Sequence, residues 1–292
     1  MDASLSPIAK KRRNNTLFRE FVRRLLRNKL GVAGLIVLVW IIVLAIVSPY
    51  IIPYDYAIQN YDETLQFPNI HHWFGTDNFG RDIFSRVLYG SRYTMFIGFV
   101  VVTVSAAGGT FLGLIAAYYR RVDNLIMRFM DILMGVPSMI LCLSIISAMG
   151  VNMSNMIIAL CISYIPGFVR IMRATVLTIK DQEYIEATRC IGASNARIML
   201  KHILPNGMAP LIVQYTLTMV NAILMSASLS FIGLGVQPPT PEWGLMISAG
   251  RAYLNDQWYM CVIPGIAIVI TTFALNLLGD GLRDALDPRL KQ

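Results

Sequence analysis

The chain has 292 residues, of which 55% are apolar and only 14% are charged, and its mean hydropathy is +0.57. Soluble domains carry about 25% charged residues, so this composition excludes an ordinary soluble protein. The net charge of +8 predicts contact with anionic lipid rather than nucleic acid, because no polar domain is left to carry a basic binding surface.

The first predicted element is a basic leader, residues 1–29. Thr16 predicts the N-cap of a short amphipathic helix on the membrane surface, with apolar residues at Leu17, Phe18, Phe21, Val22, Leu25 and Leu26. The charge-free run that follows exceeds a signal-peptide core of about 7–15 residues, and no small-residue cleavage pattern comes after it. We therefore expect a retained first span.

Charge-free stretches predict six membrane-spanning helices, because about 20 apolar residues cross the hydrocarbon layer and only a helix satisfies its own backbone there. A Gly-Val-Asn-Met-Ser-Asn turn at residues 150–155 separates the third from the fourth. The predicted fold class is all-α, a polytopic transmembrane helix bundle. Its helices cover residues 30–52, 92–118, 126–149, 153–175, 208–235 and 258–279.

The distribution of Lys and Arg along the chain predicts its orientation in the membrane. With six spans, all but four of the 25 fall on the side of the two termini, and the exceptions are Arg81, Arg86, Arg92 and Arg251. Since cytoplasmic loops carry the excess of Lys and Arg, we expect both termini and the 280–292 tail inside, with residues 53–91 and 236–257 outside. Four aromatic residues of the outer loop suit an interfacial belt, namely Trp243, Tyr253, Trp258 and Tyr259.

The largest cytoplasmic piece, residues 177–206, predicts two short helices. Asp181 is a candidate N-cap for a helix over 182–191, and Gly192 is a candidate C′ glycine. Ser194 then caps a second helix that is expected to stop before Pro205. A loop of this size with its own caps favours a role in binding a partner.

Motifs for nucleotide hydrolysis and for common enzyme chemistry are missing. The sequence has no Gly-x-x-x-x-Gly-Lys-Ser/Thr loop, no Gly-x-Ser-x-Gly and no His-Glu-x-x-His. The spans also lack the deep charges of ion-coupled carriers. We therefore expect no enzyme activity and no cofactor in this chain. Ser105, Gly109 and Gly113 predict close helix packing, and Pro137, Pro166, Pro210 and Pro264 predict kinks.

Two further residue groups are candidates for metal chemistry. His71 and His72 are adjacent in the outer segment, where surface exposure is the simpler interpretation and metal binding the alternative. The four cysteines form no Cys-x-x-Cys pair, which favours apolar packing over a metal or disulfide role. They are Cys142, Cys161, Cys190 and Cys261.

Four motifs resemble a known family. Residues 186–192 read Glu-Ala-Thr-Arg-Cys-Ile-Gly, and His-Ile-Leu-Pro follows at 202–205. This resembles the EAA loop of ATP-binding-cassette (ABC) importer permeases, with Thr188 where a second Ala is usual. Residues 74–82 with 85–86, residues 229–239, and residues 276–289 resemble the C-type permeases of dipeptide and oligopeptide importers. The match covers nearly the whole chain.

The resemblance implies a type I ABC importer permease in the bacterial inner membrane. The implied partners are a second permease, two cytoplasmic ATPases that hold ATP and Mg, and an external solute-binding protein. The implied ATPase-coupling residues are Glu183, Glu186, Ala187, Thr188, Gly192, Arg197, His202 and Pro205. The outer family motif comprises Gly75, Thr76, Asp77, Gly80, Arg81, Asp82 and Arg86.

Several alternatives stay open. Di- and oligopeptides are the expected cargo, while nickel, glutathione or opine-like solutes use the same architecture. Asn221, Ser226 and Ser228 are candidates for lining the pathway, although hydrogen bonds between helices explain them as well. More distant hypotheses are a membrane-embedded enzyme that uses His71, His72 and Asp77, and a structural scaffold.

Overall fold

The computed structural model describes residues 22–286. These residues are mostly helical, apart from a long connection over residues 52–82, which contains one isolated bridge between Thr76 and Asp82, and shorter loops. Residues 22–27 are helical, whereas the proposed cap Thr16 lies outside the described residues, as do Leu17, Phe18 and Phe21. The helices are α1 Lys29–Ile51, α2 Ile83–Tyr118, α3 Arg120–Gly135, α4 Ser138–Met149, α5 Met153–Ile179, α6 Glu183–Cys190, α7 Asn195–Ile198, α8 Leu204–Asn206, α9 Met208–Phe231, α10 Trp243–Gly250 and α11 Tyr259–Leu286.

Within the described part of the chain, five helices are long and apolar enough to cross a membrane: α1, α2, α5, α9 and α11. A sixth crossing arises if α3 and α4 count as one span, but they meet at an angle of 93°. The helix predicted over 126–149 is therefore broken in two at Pro137, one of the predicted kink positions. Pro137 supplies no backbone donor and disfavours helical geometry at Val136, which breaks the helix after Gly135.

Small residues form a close helix contact, as predicted. Ser105, Gly109 and Gly113 are all buried on α2, and a Cβ on Gly109 would lie 2.5 Å from the Phe168 Cβ on α5. The Ser105 hydroxyl donates to the Cys161 carbonyl at 3.2 Å. These residues let α2 and α5 pack backbone to backbone.

We call the two ends of the bundle the basic end and the distal end. Helix α1 begins and helix α11 ends at the basic end, which also carries residues 177–206. Gly31 packs against Gly281 there. At the distal end α1 ends and α2 begins. The turn after α4 lies at the distal end and has the predicted geometry, with Gly150 at φ +94 and the Asn152 side chain accepting from the Asn155 amide.

Helix α2 begins at Ile83, nine residues before the predicted start at 92. The Asp82 carboxylate caps it by accepting from the Ser85 amide at 2.7 Å. The charge of Arg86 suggested a loop, but this side chain is buried beside Asp77. A paired buried charge is compatible with a helix, which the sequence pattern does not reveal.

The predicted aromatic belt is wrong for two of its four members. Trp243 and Tyr259 are buried in a hydrophobic cluster at the distal end. The Trp243 indole donates to the Val87 carbonyl at 3.0 Å, and the Tyr259 hydroxyl donates to the Gln66 carbonyl at 2.8 Å. Trp258 is exposed. The buried aromatic residues attach the distal loops to the bundle instead of facing lipid headgroups.

Candidate functional site

The EAA-like segment, residues 177–206, forms the main candidate surface at the basic end. Helix α6 begins at Glu183 after Gln182, which makes no side-chain cap, so the predicted cap at Asp181 is wrong. Gly192 ends the helix at φ +80, a conformation that favours glycine. The Ser194 hydroxyl accepts from the Arg197 amide at 3.4 Å, as predicted.

The second half of the segment departs from the prediction at Pro205. Instead of ending before this proline, the chain forms a wide π-helical turn over Met199–Ile203 and continues as α8 through Pro205 to Asn206. The wide turn accommodates the proline, whose nitrogen supplies no hydrogen-bond donor. His202 is half-buried, and its carbonyl accepts from the Asn206 side chain at 2.6 Å.

Buried isoleucines anchor the EAA-like segment to the bundle. Ile185, Ile198 and Ile203 are fully buried in the main hydrophobic cluster. In addition, the Tyr118 hydroxyl at the end of α2 donates to the Asn195 side chain at 2.7 Å. The segment therefore has fixed contacts with the spans, and a force on its outer face would be transmitted to them.

The outer face of the segment is exposed. Glu183 and Glu186 lie three residues apart on α6, and within residues 22–286 neither carboxylate makes a hydrogen bond or ion pair. Ala187 and Arg197 are also exposed, whereas the Thr188 hydroxyl donates to the Tyr184 carbonyl at 2.7 Å. Ile191 is 84% exposed beside Gly192. Two carboxylates and an apolar side chain thus face away from the protein.

The Gly-Thr-Asp segment, residues 53–91, has the opposite character at the distal end. Asp77 is buried and accepts from Arg81 Nε at 2.7 Å, with Arg86 Nε at 3.7 Å. The amides of Phe79 and Arg81 donate to its other oxygen at 2.8 and 3.0 Å. Gly75 and Gly80 have positive φ, and the Thr76 hydroxyl accepts from the Gln66 amide at 2.9 Å.

The two adjacent histidines have different surroundings. His71 is exposed, but His72 is buried, and its Nδ1 lies 3.0 Å from Asp82 Oδ1. Asp82 also binds the Ser85 hydroxyl at 2.7 Å. The expectation that His72 lies on the surface is therefore wrong. Among the described residues, no three His, Cys, Asp or Glu side chains are grouped to hold a metal.

The pathway candidates on α9 are placed differently. Asn221 and Ser228 are exposed, whereas Ser226 is buried and its hydroxyl donates to the Ile223 carbonyl at 2.9 Å. Gln214, seven residues before Asn221, lies on the same helical face and donates to the Thr218 hydroxyl at 3.1 Å. Sequence reasoning missed Gln214, although its spacing from Asn221 and Ser228 is a readable signal.

One buried acid at the distal end also went unnoticed in the sequence. Glu242 is fully buried and caps α10 by accepting from the Leu245 amide at 2.9 Å. Its second oxygen has no hydrogen-bond partner among residues 22–286. Burial raises the pKa of the Glu242 carboxyl, because the charged form loses its hydration.

Family models match most of the chain. Residues 109–292 match the binding-protein-dependent transport system inner membrane component, and residues 16–68 match the N-terminal TM domain of oligopeptide transport permease C.

Individual relatives agree with these matches. The dipeptide transport system permease protein DppC of Alkalihalophilus pseudofirmus is 44% identical over 94% of this chain and 90% of its own length. The glutathione transport system permease protein GsiD of Escherichia coli O6:K15:H31 is 43% identical over 98% and 95%. A structure of the MetNI methionine ABC transporter, in an inward-facing conformation, aligns with a TM-score of 0.60 at 20% identity over 70% of this chain and 98% of its own.

Proposed function

The chain belongs to the binding-protein-dependent inner membrane component family and is a permease subunit of an ABC importer, and from this premise we propose that it carries di- and oligopeptides. It forms half of the translocation pathway in the bacterial inner membrane. A second permease forms the other half, two ATPases bind and hydrolyse ATP with Mg, and an external binding protein delivers the peptide. The basic end faces the cytoplasm, since cytoplasmic loops are rich in Lys and Arg.

The main support for the coupling role is the exposed outer face of α6, which lies on a segment that buried side chains anchor to the spans. Glu183 and Glu186 have no cationic partner within the described residues, so a basic group of the ATPase supplies one. Ile191, 84% exposed, enters an apolar hollow of the same subunit. Ile185 and Ile198 transmit ATPase closure to the spans, which tilt as rigid bodies.

The remaining motif residues of the EAA-like segment serve this contact. Gly192 provides the turn that exposes Ile191, and Arg197 adds an exposed cation beyond it. His202 and Pro205 shape the return to α9. The short side chain of Ala187 lets the ATPase approach the outer face of α6 closely. The Thr188 hydroxyl donates a hydrogen bond within its own helix.

One polar face of α9 serves the pathway. Gln214, Asn221 and Ser228 recur every seven residues on a span where lipid gives amides and hydroxyls no partners. Peptides carry the complementary donors and acceptors along their backbone. We assign these three residues to the translocation pathway. The hydroxyls of Ser226 and Ser228 each donate to a carbonyl of their own helix, but Ser228 is exposed and Ser226 is buried, so Ser226 has a structural position.

Peptide cargo is supported by the dipeptide permease relative at 44% identity. Glutathione, itself a short peptide, is the second candidate because GsiD matches over 98% of the chain. Uptake of labelled dipeptide, tripeptide, glutathione and nickel by a deletion strain carrying this transporter tests the assignment. We expect a dipeptide or tripeptide to be taken up fastest, and faster uptake of nickel would contradict it.

The coupling role is tested by substitution on the outer face of α6. Glu186→Lys and Gly192→Pro are expected to abolish ATP-driven uptake at normal membrane abundance, because the first opposes the ATPase cation and the second removes the turn. Asp181→Lys makes the same charge change just before the helix and serves as the matched control. Retained uptake in either test variant would contradict the coupling role.

A further inference from the structure

An apolar groove lies near the basic end, between α2, α9 and α11. Its volume is about 570 Å³, a size typical of small-molecule sites. Hydrocarbon side chains form most of its wall, including the exposed Phe111 and Leu200. The lining residues include Ala107, Thr110, Leu200, Tyr215, Thr216 and Leu282.

The polar groups in this wall are largely occupied. The Tyr215 hydroxyl lies 2.7 Å from the Thr103 hydroxyl, and the Thr216 hydroxyl donates to the Val213 carbonyl at 2.8 Å. The groove therefore offers few hydrogen bonds to a polar solute, in contrast to the Gln214–Asn221–Ser228 face. Its wall suits a hydrocarbon chain.

Exposed cations adjoin lining residues of the groove at the basic end. Lys201 follows the lining residue Leu200, Arg283 follows the lining residue Leu282, and both are exposed. Lys29 is brought near α11 by the contact between Gly31 and Gly281. Two carboxylates share this region, Asp280 and Asp284, and Asp284 accepts from the Asn28 side chain at 2.9 Å.

We propose that the groove holds one acyl chain of an anionic phospholipid from the leaflet at the basic end. The phosphate lies between Lys201 and Arg283, and the chain runs along α2 toward Thr110. The cations decide in favour of an anionic headgroup, since basic pockets between spans at the cytoplasmic side bind such lipids. The buried methylene groups supply the remaining affinity.

The test is native mass spectrometry of the assembled transporter after exchange into phosphatidylglycerol or phosphatidylcholine. We expect the wild type to retain phosphatidylglycerol. Ala107→Trp, which fills the groove from an exposed position, should lower retention roughly tenfold, equivalent to excluding about two methylene groups. Val43→Trp adds the same side chain to an exposed position of α1 and should leave retention unchanged.

The double variant Lys201→Gln with Arg283→Gln tests the headgroup without changing the groove. Both side chains are exposed, so folding is not at stake, and we expect the preference for phosphatidylglycerol over phosphatidylcholine to disappear. Equal retention of the two lipids by the wild type would overturn the proposal. So would an equal loss in Val43→Trp, or no retention of phosphatidylglycerol by the assembled wild-type transporter, since a partner subunit would then cover the groove.

Discussion

The Gly-Thr-Asp segment and the EAA-like segment both carry acidic family-motif residues, but they place them in opposite environments. Asp77 at the distal end is 6% exposed and contacts two arginines and two backbone amides. Glu186 at the basic end is exposed, with no hydrogen-bond or ion-pair partner among the described residues. The first carboxylate stabilises its own chain, and the second is available to another one.

The difference shows how motif residues divide between structure and binding. A buried residue with all its partners in the same chain is accounted for by folding alone. Folding does not account for an exposed motif residue on an anchored helix, whereas contact with a partner subunit does. The following predictions test whether this division holds.

The largest effect is expected from Asp77→Ala. The substitution leaves Arg81 and Arg86 buried without a carboxylate, and breaking a buried ion pair in this way costs about 3–5 kcal/mol. We expect a large drop in the thermal unfolding temperature of the purified chain in detergent. Asp62→Ala removes an exposed carboxylate from the same segment and should have little effect. Equal stability of the two variants would show that the network around Asp77 is not structural.

A second prediction compares two glycines that share a positive φ. A Cβ on Gly80 would lie 1.7 Å from the Asn60 carbonyl oxygen, whereas a Cβ on Gly192 would have no heavy atom within 4 Å. Gly80→Ala adds this clash to the left-handed strain, so we expect a loss of about 2–4 kcal/mol. Gly192→Ala carries the strain alone, about 1–2 kcal/mol. Thermal unfolding of both variants tests this difference. A greater loss of stability in Gly192→Ala than in Gly80→Ala would contradict it.

The smallest effect is expected for the pH dependence of stability that Glu242 causes at the distal end. Because burial raises the pKa of folded Glu242 above its ordinary value of 4.5, the free energy of unfolding falls as pH rises from the unfolded pKa through the folded pKa. Glu242→Gln removes this ionisation and keeps an oxygen for the Leu245 amide. We expect the variant to gain thermal stability over the wild type between pH 5 and pH 8.

Asp256→Asn, which neutralises an exposed carboxylate in the same loop, is the control for that pH series. Its unfolding temperature should follow the wild type across the range. A constant difference between Glu242→Gln and the wild type at every pH would show that the buried carboxyl does not govern the effect.

Much of the bundle could be predicted from the sequence. Long charge-free runs identified five spans, because lipid requires both apolar side chains and helical backbone. The row Ser105, Gly109 and Gly113 indicated a close contact, and Gly192 and Ser194 indicated a turn and a cap in the EAA-like segment. Each of these depends on local chemistry that a single sequence displays.

The remaining features depend on tertiary partners. Arg86 is buried in a helix because Asp77 lies next to it, and His72 is buried because Asp82 binds its ring. Helix α3 is held against α5 by ion pairs, with Arg173 contacting Asp123 at 2.6 Å and Arg170 contacting Asp131 at 2.6 Å. A window of sequence shows these charges but not which of them meet.

The central claim is that the basic end binds the ATPase, and two isoleucines at opposite ends test it most directly. Ile191 is 84% exposed in the EAA-like segment, and Ile70 is 86% exposed in the Gly-Thr-Asp segment. A photoreactive benzoylphenylalanine placed at either position would be irradiated in the assembled transporter. We expect a crosslink to the ATPase from position 191 and none to the ATPase from position 70. An ATPase crosslink from position 70, or none from position 191, would contradict it.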